Sequence, residues 1–116
     1  MTPFGSRCRD LRRQRGLTLK RMAADLNLSA AYLSALEHGQ RGRPSPGLVM
    51  QILGYFDLIW DEAEEMKRLA ELSQPKVTID TSGLSPSATE LANRLQRCIR
   101  QLSETRLREL LARLES

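Results

Sequence analysis

Cysteine, histidine and long apolar runs are all scarce in this chain, and each scarcity excludes a class of protein. The two cysteines among 116 residues, Cys8 and Cys98, are too few and too far apart for a disulfide scaffold or a zinc site, which favours a reducing, cytoplasmic setting. No stretch reaches the ~18 apolar residues of a membrane span. The polar start MTPFGSRCRD is unlike a signal peptide. The sequence therefore predicts a soluble protein without a membrane segment.

The sequence also has no recognisable catalytic motif and few apolar β-branched residues. The one histidine, His38, is not part of a recognisable Ser/His/Asp or Cys/His motif, and the sequence has no glycine-rich phosphate-binding loop. We therefore expect no enzyme and no cofactor or metal. Valine and isoleucine total six against twenty leucines, which predicts an all-α protein.

Charge is distributed unevenly along the chain. Residues 1–43 carry a formal charge of +6, residues 44–74 carry −4, and the rest carries +2. Fifteen of the 18 cations are arginine, which suits bidentate contact with phosphate. This pattern indicates either a first half that meets a polyanion or a set of solvated helix faces, and charge alone does not separate the two.

Capping residues and helix-ending residues divide the chain into seven predicted helices. The helices run over 6–15, 19–26, 30–38, 46–56, 62–73, 86–102 and 104–114. Their predicted caps are, in order, Ser6, Thr18, Ser29, Ser45, Asp61, Ser85 and Ser103. Asn27 is expected in the left-handed region, because asparagine tolerates a positive φ. Trp60 is expected to pack beside Phe56.

The segment from Leu19 to Leu36 carries the most specific pattern. Apolar residues on two short helices face each other across a turn at Asn27, and Ala23 is small enough for the helices to cross closely. This spacing predicts a helix-turn-helix whose second helix buries Leu33 and Leu36. Its outward face has small side chains that can approach a base edge or a thymine methyl group: Ala30, Ala31, Ser34 and Ala35.

The stretch LRRQRGLTLKRMAADLNLSAAYLSALEHGQRGRPS resembles the Xre/Cro-type helix-turn-helix of phage repressors and bacterial regulators. The resemblance implies a five-helix, lambda-repressor-like domain whose third helix enters the major groove, usually as a dimer on a palindromic site. It places base reading at Ala30, Ala31 and Ser34. It places phosphate contacts at helix starts, on an aromatic side chain and in the basic loop QRGR (residues 40–43): Thr18, Leu19, Ser29, Tyr32, Arg41, Arg43 and Ser45.

The same resemblance implies one ion pair and shows one departure. The family pairs an arginine of the first helix with the glutamate before the closing glycine, here Arg12 and Glu37, which implies a structural clamp rather than a DNA contact. Many members carry Gln, Arg or Asn where this chain has Ala30 and Ala31. Base specificity is therefore expected to rest on methyl contacts, on Ser34, on a neighbouring arginine or on DNA shape.

Apolar residues at helical spacing mark the last two helices. They form two stripes: Leu91, Leu95, Cys98, Leu102, Leu107, Leu110, Leu111 and Leu114. A two-helix hairpin of this size cannot bury both stripes internally. This favours a homodimer through the stripes. The alternative is that they pack on the first domain while the fourth and fifth helices supply the dimer contact.

The predicted organisation is a helix-turn-helix DNA-binding domain over 6–73, a linker over 74–84 and a helical dimerisation extension over 85–116. Within the linker, Lys76–Asp80 alternates like a short strand that could pair between subunits. The predicted function is sequence-specific regulation of transcription, as a homodimeric repressor on a palindromic operator in the nucleoid. Two alternatives stay open: an antitoxin that also binds a toxin through its C-terminal helices, and an adaptor for another regulatory protein that keeps the fold without contacting DNA.

Overall fold

The computed structural model describes residues 1–115, which form seven α-helices and no β-strand. The helices are α1 (Pro3–Gln14), α2 (Leu19–Asp25), α3 (Ala30–Glu37), α4 (Pro46–Tyr55), α5 (Trp60–Glu71), α6 (Pro86–Cys98) and α7 (Glu104–Leu114). The all-α prediction is confirmed. The chain divides into an N-terminal unit, Met1–Val77, and a C-terminal unit that begins at Thr78. In the part of the chain that the structure describes, no helix has the length and apolar character needed to cross a membrane.

Hydroxyl side chains cap most of the helix starts. The predicted caps form at α2, α3, α4, α6 and α7, where each hydroxyl accepts the N–H three residues on: Thr18, Ser29, Ser45, Ser85 and Ser103. The predicted start of α1 at Ser6 is wrong. Thr2 Oγ1 accepts the Gly5 N–H at 3.1 Å, and Pro3 occupies the first helical position, where its missing N–H costs nothing.

The predicted start of α5 is also wrong, because the turn before it is tight. The Leu58 N–H bonds to the Leu53 carbonyl at 2.9 Å while Asp57 adopts φ 54°. The helix then begins at Trp60, with Ile59 in the cap position and no side-chain cap. Asp61 therefore lies inside the first turn. Trp60 is 81% exposed, so the expected packing beside Phe56 is wrong.

One further expectation fails in the C-terminal unit, and one stays untested before it. α6 ends at Cys98 rather than Leu102, where the chain turns: the Gln101 N–H bonds to the Cys98 carbonyl at 2.9 Å, and Ser103 is then extended to cap α7. The alternation of Lys76–Asp80 produces no strand within this chain. A strand needs a neighbour to complete its hydrogen bonds, and residues 1–115 contain no other. Pairing of this segment with a second copy stays a prediction.

The N-terminal unit has one apolar core to which all five of its helices contribute. α1 packs against α3 and α5, α2 packs against α3, and α4 packs against α5. The largest fully buried apolar side chains are Phe4, Met22, Leu33, Ile52, Phe56 and Met66. α1 crosses the end of α3 so closely that a Cβ at Gly5 would overlap the Leu36 carbonyl oxygen and lie 2.8 Å from that of Glu37. Only glycine fits this crossing.

A buried ion pair joins the same two helices. Arg12 Nε donates to Glu37 Oε2 at 2.8 Å and Arg12 Nη2 donates to Oε1 at 3.0 Å, while Nη1 donates to the Leu17 carbonyl at 3.0 Å. The Glu37 side chain is 1% exposed. Its hydrogen bond raises the pKa of Arg12. Burial, with the charge of Glu37, raises the pKa of Cys8 to about 12, so this core thiol stays protonated and inert.

The C-terminal unit has no comparable core. Neither α6 nor α7 contains a buried residue over the described range. Four residues of the predicted stripes are half-buried: Leu95, Cys98, Leu102 and Leu107. The other four are exposed: Leu91, Leu110, Leu111 and Leu114. Packing within this unit therefore leaves its apolar stripes largely uncovered.

Arg12→Ala should destabilise the N-terminal unit by about 3 to 5 kcal/mol, because it leaves the Glu37 carboxylate buried without a counter-ion. Urea unfolding monitored by circular dichroism measures the change. Arg12→Lys keeps the charge but loses the two parallel hydrogen bonds, so its loss should be smaller.

The matched control is Arg21→Ala. Arg21 pairs with Asp25 at 3.2 Å, but its side chain is 70% exposed, so the expected loss is about 0 to 1 kcal/mol. If Arg12→Ala cost no more than this control, the buried pair would not be what holds α1 on α3.

Candidate nucleic-acid interface

The outward face of α3 consists of small side chains that are exposed or half-buried. Ala30 and Ala31 are exposed and Ser34 and Ala35 are half-buried, while Leu33 is fully buried on the opposite face. The sequence predicted this division between core and outward positions. Such a face can approach a flat or grooved surface closely, because its side chains extend little beyond the backbone.

The turn between α2 and α3 sets the angle of that face. Ala23 is 2% exposed where the two helices cross. Asn27 adopts φ 58°, as predicted, and the Leu28 N–H bonds to the Ala23 carbonyl at 2.8 Å. These contacts close α2 and redirect the chain into α3 within a few residues. The result is the helix-turn-helix geometry that the spacing predicts.

Three exposed hydroxyls lie at the starts of α2, α3 and α4. Thr18, Ser29 and Ser45 accept backbone N–H groups at 3.1, 3.0 and 3.2 Å. Because each oxygen acts here as an acceptor, its own proton can still be donated to an anion such as a phosphate oxygen. Leu19, the first residue of α2, is half-buried against the core. Only its backbone N–H is therefore suited to a phosphate contact.

The basic loop after α3 presents two exposed arginines. The guanidinium of Arg41 lies over the ring of Tyr32, 5.2 Å from its centroid. This cation–π contact holds Arg41 beside the outward face of α3. Arg43 is also exposed, and the buried Pro44 follows it. The loop therefore carries two positive charges between α3 and α4.

Sequence reasoning missed a residue that holds this loop. Gln74 Oε1, after the end of α5, accepts the Arg43 N–H at 3.2 Å. Its neighbour Ser73 accepts the Phe4 N–H at 2.9 Å and so fixes the start of α1. The sequence gives no local sign of either contact, because the partners lie 31 and 69 residues away.

The family comparison agrees with this geometry. The helix-turn-helix domain family matches residues 3–66, more than half of the chain. This chain belongs to that family. The helix-turn-helix resemblance that the sequence suggested is confirmed, and the matched range includes α1 to α4 and the first half of α5.

Two curated relatives from Bacillus subtilis (strain 168) are similar to the helix-turn-helix part. An uncharacterized HTH-type transcriptional regulator, RghRB, is 40% identical over 52 residues, which span 45% of this chain and 37% of the relative. The HTH-type transcriptional repressor RghR is 38% identical over 52 residues, or 45% of this chain and 38% of the relative. The similarity therefore covers less than two fifths of either relative. No solved structure matches the chain.

Gln74→Ala should loosen the basic loop without unfolding the N-terminal unit. A typical hydrogen bond contributes about 1 kcal/mol, so local opening should become about fivefold more frequent. Limited trypsin digestion measures this as the rate of cleavage after Arg41, followed by mass spectrometry. Gln51→Ala, at an exposed glutamine of α4, is the control and should leave the rate unchanged. Equal rates in both variants would show that Gln74 does not order the loop.

Proposed function

We propose that this protein is a non-enzymatic, sequence-specific double-stranded DNA-binding regulator of transcription that acts as a homodimeric repressor. The observation that carries the proposal is the exposed, small-residue face of α3, bordered by capped helix starts and the basic loop. The name of its relative RghR, a transcriptional repressor similar over 45% of this chain, supports repression. On this proposal the protein works in the cytoplasm, at the nucleoid.

In the proposed complex, α3 enters the major groove with Ala30, Ala31 and Ser34 toward the base edges. The two methyl groups suit contact with thymine, and the Ser34 hydroxyl suits a hydrogen bond to a base or to an ordered water. Neither alanine can donate a side-chain hydrogen bond. Part of the specificity then depends on how easily the operator adopts the shape that close approach requires.

Phosphate contacts fix the position of α3 in the groove. The proposed donors are the three cap hydroxyls, a backbone N–H of α2, a phenol and two guanidinium groups: Thr18, Ser29, Ser45, Leu19, Tyr32, Arg41 and Arg43. Tyr32 contributes in two ways, because its ring also supports Arg41 at 5.2 Å. These groups contact the sugar–phosphate backbone and carry no base information themselves.

Arg43→Ala should weaken binding to all duplexes alike and reduce the slope of log affinity against log salt by about 1, because one phosphate contact is lost. Ala31→Gln should change which sequence is preferred. Fluorescence anisotropy at several salt concentrations, using the DNA upstream of the protein's own gene and a shuffled duplex, measures both effects.

Arg68→Ala serves as the matched control, because Arg68 is an exposed arginine of α5 paired with Glu65. It should change neither the affinity nor the salt slope. If the unaltered chain failed to bind either duplex at low salt, the DNA-binding proposal would fail. The exposed face of α3 would then favour the adaptor alternative.

The homodimer is proposed to form through α6 and α7. Packing within the C-terminal unit leaves their leucine stripes largely uncovered. A second copy of the chain could pack its own leucine stripes against them. A two-fold pair would also place two α3 helices ~34 Å apart, one turn of DNA, which explains how a short recognition helix gains selectivity. A toxin covering the same stripes is the competing occupant under the antitoxin alternative.

Leu91→Lys combined with Leu111→Lys should convert the dimer to a monomer, because each lysine would place a charge in the shared apolar surface. Both leucines are more than half exposed in the single chain, at 55% and 58%, so the monomer should still fold. Sedimentation velocity measures the state, with Gln96→Lys on the polar side of α6 as the control. A wild-type chain that sediments as a monomer at micromolar concentration would contradict the dimer.

A further inference from the structure

The only tryptophan of the chain lies on the surface. Trp60 is 81% exposed and the preceding Ile59 is 63% exposed. We call these two residues the Trp60 patch. The two residues are neighbours in the chain, and exposed apolar side chains of this kind anchor protein–protein contacts, where tryptophan is among the most enriched residues. Neither residue belongs to the proposed DNA interface.

A cleft of about 190 Å³ is formed by the same part of α5 and by α1. Its apolar lining comes from Leu58 and Met66, both buried. Its charged lining comes from three carboxylates and one guanidinium: Asp61, Glu62, Glu65 and Arg7. Glu65 also pairs with Arg68 at 2.8 Å on the exposed side of α5. The cleft thus combines an apolar lining with an excess of negative charge.

We propose that the Trp60 patch and this cleft dock a basic amphipathic helix of another protein. Apolar side chains of that helix would cover Ile59 and Trp60. One of its arginines or lysines would enter the cleft, with the aliphatic stem on Leu58 and Met66 and the charged end among the carboxylates.

Charge complementarity selects this occupant over others. The carboxylates of α5 repel a DNA backbone and disfavour acidic segments. A symmetric contact between two copies of the patch would bring Asp61 and Glu62 of each copy toward the same residues of the other, which like-charge repulsion opposes. A basic partner satisfies both the apolar and the charged parts of the surface. The proposal stands independently of DNA binding, because it uses other residues.

The first test titrates the full chain with a synthetic 14-residue peptide of leucine and arginine at helical amphipathic spacing. Because Trp60 is the single tryptophan, its emission reports on the patch and should shift to the blue with saturable binding. A peptide of the same composition in scrambled order, and one with glutamate for arginine, should bind at least about tenfold more weakly. Equal binding of either control peptide would overturn the proposal.

The second test uses variants and a fluorescein-labelled copy of the amphipathic peptide. Trp60→Gly should weaken binding at least about tenfold, as expected for an interface anchor. It should not lower the Tm, since Trp60 is exposed and its φ of 52° suits glycine better than tryptophan. Asp61→Asn with Glu62→Gln should weaken binding and reduce its dependence on salt.

Met50→Ala is the matched control, because Met50 is an exposed apolar residue of α4, at 59%, outside the patch. It should bind the peptide as the unaltered chain does. Unchanged binding by Trp60→Gly would overturn the proposal. A changed sedimentation coefficient of Trp60→Gly without peptide would also overturn it, by assigning the patch to contact between copies.

Discussion

The buried pair of Arg12 and Glu37 is the constraint on which the N-terminal unit depends. A carboxylate at 1% exposure is tolerable only because a guanidinium meets both of its oxygens, and that requires α1 and α3 to keep one relative position. The glycine contact at Gly5 fixes the same crossing sterically. The direction in which α3 presents its small side chains therefore follows from contacts on its other face. The surface proposed for DNA is held by residues that need not touch DNA.

The sequence could predict those features that local chemistry decides. A hydroxyl three residues before a helical N–H forms a cap wherever the backbone allows it, so the starts of α2, α3, α4, α6 and α7 were predictable. Asn27 at φ 58° belongs to the same class. The division of α3 into Leu33 inside and Ala31 outside follows from helical periodicity and was equally predictable.

The features that it missed depend on contacts that residue types and spacing do not mark. Asp61 is a good cap by composition, but after the tight turn around Asp57 the helix α5 begins at Trp60, two residues earlier than predicted. The Gln74 contact with Arg43 joins positions 31 residues apart, and no periodicity marks it. The exposure of Trp60 was unpredictable for another reason, because aromatic residues are more often packed than exposed. Helical periodicity marks the apolar stripes of α6 and α7, but it does not identify the molecule that covers them.

The bare methyl groups of Ala30 and Ala31 have an evolutionary consequence. Since both are exposed and neither supports the core, replacing them should alter stability by no more than about 0.5 kcal/mol. Under the DNA contact proposed above, a lineage could thus exchange one operator preference for another through single substitutions, without first acquiring compensating mutations in the scaffold. Duplicated copies of such a gene could diverge quickly toward separate sets of promoters while remaining equally well folded.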